Sequence, residues 1–201
     1  MNTQRVLIVL GLTGGLCCAA TAPAVETAKV GEIQRPIITL TPEERAAADQ
    51  FEAKLKDYIA DHRKAEAALP HLSKDSTPQE IDKNQRALGT QLAAERAGAK
   101  QGDFFTPPME GLVRRTLQAV LAGPDAKTIK ASIMDENPGV PNLKINDRYP
   151  DNIPLSTMPP QVLEPLPKLD EEMEYRFLGK HLVLLDTHAH LVVDFTGNVL
   201  P

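Results

Sequence analysis

The stretch M173-EYRFLGKHLVLLDTHAHLVVDF-T196 decides the architecture. Gly179-Lys180 is a glycine-first two-residue turn of the II′ kind. Pairing outward from it sets Phe177 opposite Leu182 and Tyr175 opposite Leu184. A second turn at 187–190 sets Asp186 opposite Leu191, and a straight ladder then sets Leu184 opposite Val193 and Leu182 opposite Phe195. The result is a three-stranded antiparallel meander. One face carries Met173, Tyr175, Phe177, Leu182, Leu184, Leu191, Val193 and Phe195. The other carries Glu174, Arg176, Asp194 and His181 among Val183, Leu185 and Val192, with Arg176 and Asp194 placed to pair across Val183. Three strands with such an apolar face need a cover, and helices are the simplest one.

Those helices are announced upstream. Thr41-Pro42-Glu43-Glu44 and Thr77-Pro78-Gln79-Glu80 each put Thr at the N-cap, Pro at the first helical position and Glu at the third. Thr106-Pro107 repeats the start without the Glu. The first helix is expected from Pro42 to about Leu69, with Phe51, Leu55, Tyr58, His62, Ala65 and Leu69 along one seam. The second runs from Pro78 to about Ala97 with Ile81, Gln85, Leu88 and Leu92, and the two form an αα-hairpin. A third, Pro107 to Ala122, ends at Gly123-Pro124, and a short fourth covers about Asp125 to Met134. Residues 138–167 hold eight of the 17 prolines, which excludes a long helix or a central strand there. They read as an ordered extended wrap with one helical turn near Pro159 to Leu163. The fold class expected is α+β: helical region 41–137, Pro-rich connection 138–170 and β-meander 171–201 packed on the helices.

The N-terminal residues have the layout of a secretory signal: a positive start, an apolar run and Ala22-Pro23-Ala24 as a small-x-small cleavage site. That assigns 1–24 to a signal peptide and 25–40 to a tether, and implies an exported, periplasmic or secreted protein. Both cysteines fall inside the signal, so the remainder has neither disulfides nor thiolate chemistry. The formal charge of −5, without a basic run, argues against nucleic acid or anionic lipid as partners. No second long apolar segment follows, so no membrane span is expected after cleavage.

Chemistry is sparse. GxSxG, HExxH and a phosphate-cradling glycine loop are all missing, and a content of 4% aromatics without Trp makes a sugar-stacking platform a poor reading. His188 and His190 fall in the second turn, where His190 occupies the position that needs a left-handed residue. The favoured reading takes His190 as a turn residue and His188 as solvent-exposed, with no metal; the alternative makes Asp186, His188 and His190 ligands for Zn or Ni. An open site of that kind needs a fourth ligand from elsewhere, such as a second chain. His181 lies at the far end of the central strand, on the order of 17 Å away, and cannot share the ion. His62 and Glu66 are one helical turn apart, but a histidine on a packing seam is more often a satisfied core residue than a ligand. Asp135, Glu136, Asp147 and Asp151 lack the spacing of a calcium loop.

GDFFTPPME, IKASIMDENPG, PLSTMPPQVLEPLPKLDEEMEYRF and LVLLDTHAHLVVDF together resemble a family of exported bacterial proteins of unknown function. The C-terminal hairpins are similar to those closing small periplasmic proteins such as the nickel/cobalt-homeostasis family. These resemblances imply export and transfer no ligand residues. With strong structural signals and no catalytic constellation in the sequence, the expected function is that of a non-enzymatic binding or scaffolding protein, with no cofactor and with the helical region as partner or self-association surface. The alternative is a periplasmic divalent-metal binder using the turn histidines. A third reading, a hydrolase, requires a buried histidine beside a serine or carboxylate, for which His62 is the helical candidate.

Overall fold

The computed structural model describes residues 37–135, 142–154, 156 and 158–200, all within one unit. The signal and most of the tether lie outside the described residues, as does Glu136. Among the described residues, no helix is long and apolar enough to cross a membrane.

The fold is α+β. Helices α1 (Pro42–Ala67), α2 (Pro78–Glu95), α3 (Pro107–Val120) and α4 (Ala126–Asp135) precede a single turn, α5 (Pro160–Leu163). Strands β1 (Met173–Leu178), β2 (His181–Asp186) and β3 (Leu191–Thr196) follow, in the order β1-β2-β3. The capping chemistry explains the first two helix starts. The Thr41 and Thr77 hydroxyls accept from the N–H groups of Glu44 and Glu80, and both glutamates reach back to the cap N–H at 2.8 Å. Thr106 makes no such bond, and its hydroxyl is buried without a partner. The α1 seam is as expected from Phe51 to Ala65 and gains Ile59, but the helix ends at Ala67 and leaves Leu69 beyond it, partly buried; Ile81 of α2 is exposed and Gly89 takes a buried place beside Leu88 and Leu92.

The helices cover the sheet through one core. Phe51 meets Phe104 edge-on at 5.2 Å between centroids, and Tyr175 of β1 packs at 6.2 Å from Phe51. The first hairpin has the expected register, with Gly179 at φ 59°. The second does not. Asp186 faces Leu191 and Leu185 faces Val192, but a bulge then pairs Leu184 with Asp194 and Leu182 with Thr196. Val193 is the extra residue. The bulge turns Phe195 to the outer face and draws Asp194 inward, which corrects both expected faces.

The reason lies in the loop before α3. The fully buried Asp194 carboxylate accepts from the N–H groups of Gly102, Phe104, Phe105 and Phe195 at 2.7–3.0 Å. The displaced Val193 carbonyl accepts from the Arg96 guanidinium at 2.9 Å. Asp194 therefore does not pair with Arg176, which binds Glu174 of its own strand. The Pro-rich connection covers the outer face, where Tyr149, Val183, Leu185, Val192 and Phe195 form a second cluster. It also closes both sheet edges. Asn146 N–H donates to Val192 of β3, whose own N–H donates to Asp147, Tyr149 N–H donates to His190 in the turn before it, and the Ser156 hydroxyl bridges the N–H and C=O of Phe177 in β1.

Candidate functional site

Alternation along β2 places Leu182, Leu184 and Asp186 on the face toward the helices. Asp186 is thus carried into the core at the strand's end and is fully buried. Three donors meet it. The Tyr58 hydroxyl donates at 2.5 Å, the backbone N–H of Ala189 at 2.8 Å, and His62 Nδ1 lies at 2.6 Å. Tyr58 and His62 stand four residues apart on α1, so both reach the same carboxylate. With the Asp186 carboxylate as acceptor, Nδ1 of His62 donates to it and Nε2 faces the other way.

That second nitrogen is the notable atom. His62 is fully buried and Nε2 has no hydrogen-bond partner. Its nearest charged neighbour is Glu66 Oε2 at 3.6 Å, one helical turn on. His188, in the β2–β3 turn, brings Nδ1 to 3.2 Å from Glu66 Oε1, and its ring centroid lies 5.6 Å from that of His62. Among the described residues, His62, Glu66 and His188 form the group whose donor atoms all lie within 4.8 Å of one another. Donors held at about 2.0–2.1 Å from a tetrahedral ion stand about 3.3 Å apart, and the Glu66 carboxylate lies 3.6 Å from His62 Nε2 and 3.2 Å from His188 Nδ1.

The local fields match. Burial alone would push the His62 imidazolium toward losing its proton. The bond to Asp186 and the charges of Asp186, Glu66 and Glu172 outweigh burial and raise its pKa above the ordinary histidine value. The site therefore attracts positive charge. It also lies at the C-terminal end of α1, where the helix dipole favours a cation. The Tyr58 hydroxyl is held protonated by burial and by Asp186, and the Arg96 guanidinium lies 5.2 Å over its ring.

The three residues singled out in the turn are separated by the fold. His188 joins the cluster directly. Asp186 stands behind His62 with its oxygens already engaged, as an orienting partner. His190 adopts φ 50°, as its turn position requires, and its Nδ1 lies 3.5 Å from Asp151 instead. His62 and Glu66 are the residues that sequence reasoning set aside. The signal that reaches them is the alternation that puts Asp186 on the same face as Leu184, toward a seam containing a tyrosine and a histidine. His181 packs edge-on against Phe195 at 5.7 Å, and burial lowers its pKa.

The His62–Asp186 pair also supplies half of what a hydrolase needs. Nε2, however, looks at a carboxylate and an imidazole, which are ligands rather than nucleophiles. Ser156 is committed to Phe177 of β1, and Ser132 is exposed on α4. No protein-family model, curated protein or solved structure matches this chain.

Proposed function

We propose that this is an exported, non-enzymatic protein that binds one divalent transition-metal ion through His62 Nε2, Glu66 and His188 Nδ1. The observation that carries the reading is the buried, unpartnered His62 Nε2, oriented by Asp186 on the side where Glu66 and His188 bring two further donors within 4.8 Å. A carboxylate behind a ligating histidine is the usual second support of such sites, fixing the tautomer and raising the donor strength of the free nitrogen. Two imidazoles and a carboxylate suit zinc, nickel or cobalt, whereas calcium and magnesium require a shell of oxygens. The ligand set replaces Asp186 and His190 of the turn with His62 and Glu66 of the helix.

Calorimetric titration with zinc and nickel tests the reading. The expected result is one ion per chain, with affinity lost in His188→Ala and in Glu66→Ala and retained in His190→Ala. Both His188 and Glu66 are 44% exposed at the side chain, so their removal leaves the core intact. Binding that is missing, or that is unchanged in both variants, overturns it.

A further inference from the structure

Resting on that metal reading, we infer that the ion is handed on by direct ligand exchange at the solvent side of the site. The three donors are unequal. His62 is fully buried, and its ring is fixed by Asp186, which is itself held by Tyr58 and the Ala189 N–H. Glu66 and His188 are each 44% exposed at the side chain, and each has the other and His62 as its side-chain neighbours.

These two also sit where structure gives way most easily. Glu66 is the penultimate residue of α1, and His188 is in the turn between β2 and β3. Helix ends and turns open at little free-energy cost compared with core elements. Structural metal sites are closed by four protein ligands, whereas three protein ligands leave a position for an incoming group. An incoming donor therefore coordinates first, and Glu66 and His188 leave in turn, with His62 the last to release. The acceptor that fits is a protein or small chelator presenting imidazole, carboxylate or thiolate donors on an accessible surface.

The test is stopped-flow transfer of zinc from the loaded full chain to the chromogenic chelator 4-(2-pyridylazo)resorcinol over a range of chelator concentrations. Direct exchange predicts a transfer rate that rises in proportion to chelator concentration. A rate that does not change with chelator concentration shows that the ion must leave first, and overturns this inference while leaving the metal site standing. A chain that takes up no zinc removes the site itself, and the inference with it.

Discussion

A single carboxylate organises the candidate site. Asp186 offers its carboxylate oxygens to three donors, the Tyr58 hydroxyl, His62 Nδ1 and the Ala189 N–H. Replacing it by Asn keeps the shape but presents an amide N–H₂ where Tyr58 and His62 need an acceptor. Asp186→Asn is expected to weaken zinc binding by about 10–100-fold without touching a ligand, because the orienting partner of His62 is lost. Calorimetry of the variant beside the parent chain measures it. Tyr58→Phe removes one bond to the same buried charge and is expected to cost about 1.5–3 kcal/mol in urea unfolding. The residues that make this node were legible one at a time: Tyr58 and His62 as seam positions, Asp186 as a strand residue. Their meeting was not, because 124 residues separate His62 from Asp186 and no local pattern links them. His190 was legible as a turn residue because that requirement is local.

At the scale of elements, the helix starts were readable because their chemistry spans only four residues. The box at Thr41 adds a tertiary contact, since the Arg115 side chain of α3 binds Glu44. Burial pushes the Glu44 carboxyl up, but the Arg115 bonds and charge and the Thr41 N–H outweigh it and hold the carboxyl below its ordinary value. A carboxyl lowered on folding contributes stability that is present above its unfolded pKa and is lost as pH falls through the folded value. Glu44→Gln keeps an oxygen for the Thr41 N–H but removes the charge facing the Arg115 guanidinium, and is therefore expected to cost about 0.5–1 kcal/mol near pH 7. The parent and variant curves should converge in acid. Thermal unfolding at a series of pH values checks both statements. The third start, Thr106, shows where local reading stops: the same Thr-Pro pair, lacking the third-position Glu, forms no side-chain cap.

Over the whole molecule, the site joins the end of α1 to the turn between β2 and β3, two parts of the chain that meet only in the folded state. An ion bound to that state alone adds stability by mass action, about 2.7 kcal/mol when free metal is at a hundred times Kd. The melting temperature is expected to rise with zinc and to fall back with a chelator. His188→Ala should melt at the same temperature in either condition. The α+β class and the wrapping role of the proline-rich segment follow from composition and periodicity alone. The covering of both sheet faces does not, since that depends on Tyr149, Leu143, Ile145 and Ile153 finding the outer face of the meander.

The bulge at Val193 has a consequence for the variants this chain can tolerate. Two alignments of β3 compete. In the straight one, Phe195 turns inward and Asp194 outward, which the hydrophobic pattern alone favours. In the observed one, four backbone N–H groups and Arg96 outbid that pattern. Asp194 is thus a latch on the strand's sliding coordinate. Asp194→Val should release it, and the expected sign is contact between the Phe195 ring and the Leu182 side chain by nuclear Overhauser effect, in place of the parent's contact with His181. Such a variant would remain folded while exchanging one sheet face for the other over half a strand.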